Sequence, residues 1–460
     1  MPSFDSFHAP GKRGYLIGIG GVSMAPLAEV LHDDGLLIAG TDIQRSAKVL
    51  ELESKGIRVN LGHAAENITP DLDFVVRTAA VRDDNPEIRA AHALGIPVFE
   101  RTQAWGSIMK AYRHALCISG THGKTTTTSM CTHILMAAEK DPTVMIGGTL
   151  PLLQAGHRVG QGDTIILEAC EYYDSFLSFY PTIAVVLDVE ADHLDYFKDL
   201  DAVKASFRKF ASLVPAEGGT VVVNADDENA MEAVAGLDRR IVTFGLGDTA
   251  DVRAVNIISS GAQTEFDVVR DGELFAHLEL RVPGVHNVKN ALAATAAAME
   301  LGISATAVKY GLAGFSGANR RFEFKGKFNG ADVYDDYAHH PGELKALLDA
   351  VEPMGYKRTV VVFQPHTYTR TAALFDDFVE QLGRPDLCFL AEIYAAREKN
   401  TLGISSEDLA KRIPNSLFFP SFEELERALA WSVAPGDIVL TVGAGDVYKI
   451  GEDLVSRAEG

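Results

Sequence analysis

Residues 120–128 read GTHGKTTTT, and what this stretch does decides the fold. An apolar run, ALCI at 115–118, precedes it, and apolar side chains follow at Met130, Cys131, Ile134, Leu135 and Ala138. The first is strand-like and the second has helical spacing, so the glycines turn a strand into the start of a helix. Unsatisfied N–H groups and the positive end of the helix dipole converge at such a junction and make an anion site. Lys124 adds a point charge for β- and γ-phosphates, and the Thr125 hydroxyl lies within reach of Mg²⁺. The stretch is nevertheless two residues shorter than the usual G-x-x-x-x-G-K-[ST] loop, because Ile118 stands where the first glycine belongs. A tight turn before a Thr-rich helix is the competing reading of G-K-T alone. The flanking strand and helix favour phosphate binding.

Working outward, strands and helices alternate along the chain in three blocks. The first holds YLIGIGG (15–21), a helical stretch VSMAPLAEVLHDDG, LLIAGTDI, IRVNLG (57–62), DFVVRTAA (73–80) and IPVFE (96–100). The second adds TIILE (164–168), TIAVVLDVE (182–190) and GTVVVNADD (219–227) to the strand before the loop. The third holds ADVYDDY (331–337), RTVVVFQPH (358–366), LCFLAEIYAA (387–396) and DIVLTVGAGD (437–446). This pattern predicts an α/β protein of three domains, each with a mostly parallel sheet. The first and third are Rossmann-like, and the central one resembles a P-loop ATPase. Polar, glycine-containing stretches near 107–114 and 322–330 are the expected boundaries, giving domains at 1–112, 113–322 and 323–460. The second stretch is also the expected hinge.

Ligands of parallel sheets sit beyond the carboxyl ends of the strands. Glu168 ends one strand, and Asp188, Glu190, Asp192 and His193 cluster at the end of another. Acids of this kind beside a triphosphate suit Mg²⁺, which prefers oxygen ligands. A solvated strand end is the bland reading of each acid taken alone. In the first block Gly18, Gly20, Gly21, Val22 and Ser23 follow a strand and open a helix, with Asp42 lying 24 residues after Gly18. That spacing is the dinucleotide fingerprint, but Ser23 replaces its third glycine, so the match is loose.

The 460 residues exceed what one core organises, and 47% apolar with 23% charged content is ordinary globular composition. A net charge of −21 disfavours nucleic acid and anionic membrane surfaces, so an anionic ligand must be held by a few local cations. No apolar leader or membrane-length stretch is present, and Cys117, Cys131, Cys170 and Cys388 show no C-x-x-C spacing. A cytoplasmic protein with reduced thiols is expected.

Eight motifs occur in order: GTHGKTTTT, EACEYYDSFL, VEADHLDYF, GVHNVKNALAA, NRRFE, DDYAHHP, FQPHTYTRT and GAGD. In this the whole chain resembles the Mur ligases, the ATP-dependent amide ligases of bacterial cell-wall precursors, for which the short loop is normal. The resemblance is strongest to the branch that adds L-alanine to UDP-N-acetylmuramate, and it implies ATP and Mg²⁺ as cofactors. It further implies ATP contacts from Gly120, Thr121, His122, Gly123, Lys124, Thr125 and Thr126, with Asn287, Asn290, Arg321 and Asp336. Metal would be held by Thr125, Glu168 and His193. Lys124, His193, Arg321, His339 and His366 would serve catalysis, with His339 preferred to His340. The UDP-sugar would meet Gly18, Gly20, Gly21, Val22, Ser23, Asp42, Thr78 and Asn85. His366 and Arg370 would meet the amino acid.

Several alternatives stay open at the level of sequence. Asn287 is equally an N-cap. Thr367 stands where many relatives carry Arg, and Arg370 or Arg397 would compensate. Some relatives carry a carbamylated lysine, and neither Lys204 nor Lys209 is assignable to that role. A tripeptide-recycling ligase and a non-catalytic nucleotide sensor are the competing functions. Retention of Lys124, Glu168, His193 and Arg321 argues against the sensor.

Overall fold

The computed structural model describes residues 3–78, 81–194, 196–396 and 398–459. Three mostly parallel sheets give the chain a three-domain α/β architecture. Its contacts group into two compact units. Met1–Val189, Lys204–Thr243 and Ala293–Ala307 form the first, and Glu190–Val203, Phe244–Leu292 and Val308–Gly460 form the second.

In the first unit, β1 (Arg13–Ile17), β2 (Leu37–Asp42), β3 (Arg58–Leu61), β4 (Phe74–Arg77) and β5 (Val98–Glu100) make a sheet of order β3-β2-β1-β4-β5. Every pairing is parallel. The order reverses beside β1, which opens a crevice at the carboxyl ends of β1 and β4. Tyr15, Ile17, Val75, Ile88 and Ala91 fill the core beside this sheet. One carboxylate is buried with them. Fully enclosed Glu87 accepts hydrogen bonds from Thr41 and from Asn67 Nδ2 at 2.7 Å, and its other oxygen lies 2.7 Å from His63 Nδ1.

The same unit contains β6 (His114–Ser119), β7 (Thr143–Leu150), β8 (Ala155–Arg158), β9 (Thr164–Glu168), β10 (Ile183–Val186), β11 (Thr220–Asn224) and most of β12 (Arg240–Gly245), in the order β12-β11-β10-β6-β9-β7-β8. β6 is apolar on both faces because it lies between parallel neighbours, β10 and β9. The register pairs Ile118 with Glu168 and Ser119 with Val186, so three strand ends finish side by side where the loop leaves.

In the second unit β13 (Val252–Ser260), β14 (Gln263–Arg270) and β15 (Glu273–Leu280) form an antiparallel meander. The sequence reading places no strand in this stretch. Only every second residue of these strands turns inward, which leaves a weak apolar signal. β16 (Glu323–Phe328), β17 (Ala331–Asp336), β18 (Arg358–Phe363), β19 (Leu387–Leu390), β20 (Ser416–Phe418) and β21 (Asp437–Val442) follow, ordered β16-β17-β21-β18-β19-β20. Only β16 runs antiparallel. The stretch 322–330, expected as linker and hinge, is therefore largely an edge strand, its polar residues permitted by the exposed edge. Along β18 Val361 and Phe363 enter one apolar layer and Val360 and Val362 the other, as a two-residue period requires.

Glu87→Ala should strand the partners of the buried carboxylate and cost about 1–3 kcal/mol. Trp105, buried in the same unit, reports the change as a lower urea midpoint in its emission. An unaltered midpoint would show that the network contributes nothing.

Candidate active site

The glycine loop is built as the sequence implies. β6 ends at Ser119, and the helix Lys124–Ala137 begins after Gly123, whose φ of 79° is left-handed. Gly120 has φ 148°, and a Cβ there would lie 2.8 Å from both Asp188 Oδ1 and Leu187 Cβ, so only glycine fits. Asp188 fastens the loop from the end of β10. Its carboxylate accepts from His122 N–H at 2.8 Å, and its carbonyl accepts from Thr121 N–H at 3.3 Å.

Lys124 folds back over this turn. Its ammonium donates to the carbonyls of Gly120 and Thr121, the latter at 3.1 Å, and lies 3.2 Å from Glu171 Oε2. Burial alone would pull its pKa down, but the Glu171 and Asp188 carboxylates outweigh that and hold the ammonium well above its ordinary value. Thr125 Oγ1 donates to Glu168 Oε2 at 3.3 Å, and Glu168 Oε1 accepts from Gly147 N–H at 2.7 Å. Thr126 occupies the first helical turn beside them. Thr125 and Glu168 thus form an all-oxygen pair suited to a hard cation.

The first glycine turn lies in the same unit. Gly18 has φ 75°, and Gly20 leaves no room for a side chain, since a Cβ would lie 2.7 Å from Val49 Cγ2 and 2.9 Å from Asp42 Oδ2. Asp42 accepts from Gly20 N–H at 2.9 Å, so the acid does meet the turn. Gly21 continues the turn, Val22 is exposed, and Ser23 precedes the helix Met24–Asp33 and accepts from Arg101. Asn85 caps the helix Pro86–Ala93 through Glu87 N–H at 2.8 Å.

The second unit gathers most of the remaining candidates. Arg370 makes a largely buried ion pair with Asp192, with Nη2 at 2.9 Å from Oδ1, and Arg370 Nη1 lies 3.2 Å from His366 Nδ1. Burial opposes ionisation of Asp192, yet the guanidinium holds its carboxyl far below the usual range. His193 follows with a left-handed φ of 54°, its backbone N–H donating to Asp192 Oδ1 at 2.7 Å. The His366 ring lies 5.7 Å from that of His339 and stacks on Tyr394. His339 Nδ1 is 3.2 Å from Glu343 Oε2, while His340 caps the helix Pro341–Val351. Thr367 takes φ 67° at the N-cap of Tyr368–Ala373, and Arg397 lies outside the described residues.

Asp336 accepts two backbone N–H groups, from Phe322 and Ala338, each at 2.8 Å. Burial pushes its carboxyl up to about 6 against the pull of Arg321. Arg321 lies over the Tyr337 ring and 3.9 Å from Glu343. Its neighbour Arg320 is structural: it binds Asp335 at 2.9 Å and the Gly443 carbonyl at 2.6 Å, pinning the GAGD turn.

Two readings change. Asn287 is not an N-cap, because the helix Val285–Glu300 starts two residues earlier. Its amide donates instead to the Pro283 carbonyl at 2.6 Å, and its oxygen accepts from Asn290 at 3.2 Å. Glu171, absent from the sequence-derived candidates, is the acid nearest the Lys124 ammonium. Its motif, EACEYYDSFL, was the available signal. Of the two lysines, Lys204 is paired with Glu232 at 2.7 Å, and Lys209 is exposed. All four cysteines are free thiols.

Family models match in register with these sites: the Mur ligase family catalytic domain over residues 14–113, the Mur ligase middle domain over 118–298, and the Mur ligase glutamate ligase domain over 320–445. The chain belongs to the Mur ligase family. It is 46% identical to UDP-N-acetylmuramate–L-alanine ligase of Agathobacter rectalis over 96% of this chain and 97% of that one. Identity to the ligase of the same name from Clostridium novyi is 44%, over 98% of each chain. Among solved structures, UDP-N-acetylmuramate-alanine ligase MurC from Thermotoga maritima superposes with a TM-score of 0.79 at 29% identity, covering 97% of this chain and 99% of that one.

Burial holds both His339 and His366 at about 4. The unfolded chain takes up these protons near 6.5 and the folded one only near 4, so the two rings destabilise the fold as pH falls between those values. Asp336 acts in the opposite sense from its ordinary 3.8 up to about 6, where the folded state is the better proton binder. Ring signals of His339 and His366 should therefore stay in the neutral form at pH 6 in a histidine NMR titration. Midpoints near 6.5 would contradict their burial.

Proposed function

We propose that the protein joins L-alanine to the lactyl carboxylate of UDP-N-acetylmuramate, converting ATP to ADP and phosphate, in peptidoglycan precursor synthesis. The observation that carries this is the gathering of Lys124, Thr125 and Glu168 at the glycine loop, in a chain that aligns over nearly its whole length with ligases of that name. A carboxylate does not react with an amine directly, because oxide is too poor a leaving group. The lactyl carboxylate first attacks the γ-phosphate and becomes an acyl phosphate. The alanine amine then adds to the acyl carbon, and phosphate leaves with the oxygen that began on the carboxylate.

Several anions meet in the first step, so positioning and fixed positive charge dominate the barrier. In this reading residues 120–126 cradle the phosphates, and Lys124 exchanges its loop carbonyls and Glu171 for the β- and γ-phosphates. Arg321, Asp336, Asn287 and Asn290 complete the nucleotide site. Thr125 and Glu168 are an oxygen pair that fits Mg²⁺, with His193 proposed for a second ion; bound metal would neutralise phosphate charge. His366 and Arg370 receive the amino acid, and His339 supports them. Segments 1–112, 113–322 and 323–460 are proposed as the UDP-sugar, ATP and amino-acid domains. Among the described residues no helix is long and apolar enough to cross a membrane, and we place the enzyme in the cytoplasm with its substrates.

Phosphate release from ATP, measured with Mg²⁺ and each combination of substrates, should require both UDP-N-acetylmuramate and L-alanine. Release with tripeptide but not alanine would move the assignment to a recycling ligase, and ATP binding without any release would favour the sensor. Lys124→Met should lower turnover by at least about 10²-fold, the scale of losing one charge-stabilising group. A negligible effect would remove that role.

A further inference from the structure

The helix Tyr368–Ala373, which carries Arg370, begins without the usual means of starting a helix. It has six residues, under two turns, and a helix that short does not hold itself together in water. Thr367 occupies its N-cap, yet the Thr367 side chain makes no capping bond. The φ of 67° at Thr367 is moreover a strained conformation for a β-branched residue. Left to its local sequence, the helix would open with unsatisfied backbone N–H groups.

Glu398 supplies the missing cap from a loop 30 residues further along the chain. Its Oε2 accepts from Tyr368 N–H at 2.7 Å and from Thr369 N–H at 3.0 Å, and its Oε1 accepts from the Thr369 hydroxyl. A negative charge at this end also complements the helix dipole. The same loop holds the turn that leads into the helix. Thr367 N–H donates to the Tyr394 carbonyl at 2.9 Å, and Tyr394 N–H donates to the Pro365 carbonyl at 2.8 Å. Tyr394 pairs with His366 in an isolated bridge, its ring stacked on the imidazole with centroids 5.7 Å apart. Glu398 N–H donates to the Ala395 carbonyl at 2.9 Å, which ties the acid into that loop.

Both groups proposed to meet the amino acid therefore stand on a turn whose geometry is imposed from outside. Arg370 reaches Asp192 through Nε at 3.2 Å and Nη2 at 2.9 Å. A guanidinium that meets a carboxylate through two nitrogens depends closely on its aim.

We propose that Glu398 is a positioning residue of the amino-acid site: by capping Tyr368–Ala373 it holds Arg370, and His366 beside it, in the place where the substrate carboxylate is received. The inference rests on the reading of His366 and Arg370 as that site and adds to it a residue outside their motif.

The test is steady-state phosphate release by the full chain, with alanine, ATP and UDP-N-acetylmuramate varied in turn, for the parent, Arg370→Ala, Glu398→Ala and Glu398→Gln. Glu398→Ala should raise the alanine KM by roughly 10–100-fold, the scale of a binding group displaced from outside the chemistry, and leave the other two KM values unchanged. Glu398→Gln keeps an oxygen able to accept both backbone N–H groups and should recover most of that loss. A cap that served stability alone would instead reduce the active fraction, and with it kcat, at unchanged KM values. That result, or an unaltered alanine KM, in an enzyme whose alanine KM does respond to Arg370→Ala, would overturn the inference and leave the amino-acid reading intact. An alanine KM indifferent to Arg370→Ala would overturn that reading, and the inference with it. If Glu398→Ala loses ATP binding through misfolding, Glu398→Asp, which draws the carboxylate back from the helix, should raise the alanine KM in the same selective way.

Discussion

The site is organised around a largely buried ammonium. An isolated lysine removed from water would shed its proton. Lys124 keeps it because two loop carbonyls and Glu171 surround it and Asp188 lies close by. Those partners come from three consecutive strand ends, and only parallel pairing of β9, β6 and β10 brings such ends to one line. The glycines serve the same constraint, since a side chain at Gly120 would strike the carboxylate that fastens the loop. In the proposed function, phosphate oxygens would replace the acids as the lysine's counter-charges. The loop is thus held in shape by the groups that the proposed nucleotide would displace.

Charge in the second unit is arranged on the same principle with different parts. Arg370 is neutralised by Asp192, and two imidazoles kept uncharged by burial lie beside it. A carboxylate is already seated on the one guanidinium proposed to receive the carboxylate of the amino acid. Under that proposal alanine would share or displace the contact. Thr367 offers no second cation, and Arg370 or Arg397 is proposed to compensate, Arg397 lying outside the described residues.

Much of this was legible in the sequence where local chemistry and topology coincide. The glycine loop announces itself through a strand before it and a helix after it. Glu168 was identifiable as a strand end, and a parallel sheet dictates where strand ends face. Glu171 was not, because it opens a turn containing two left-handed residues, with no periodicity to place it. Asn287 resembled a cap because that reading starts the helix three residues late, at 288 and not at Val285; the Pro283-Gly284 pair before it gives no strong start signal. The meander β13–β15 escaped notice for a physical reason as well. Strands with one wet face dilute their apolar residues with charged ones, whereas both-sided burial made β6, β10 and β11 conspicuous. Long-range pairings such as Arg370 with Asp192, 178 residues apart, have no local signature at all.

Activation of a carboxylate by phosphoryl transfer is the step on which the proposed activity depends, and oxygen tracing tests it directly. UDP-N-acetylmuramate labelled with ¹⁸O in its lactyl carboxylate would be turned over with ATP and L-alanine, and the released phosphate analysed by mass spectrometry. One labelled oxygen should appear in each phosphate formed from doubly labelled carboxylate, because the bond that breaks lies between the acyl carbon and that oxygen. Unlabelled phosphate accompanying full formation of the amide would contradict the acyl phosphate and the role assigned to the loop.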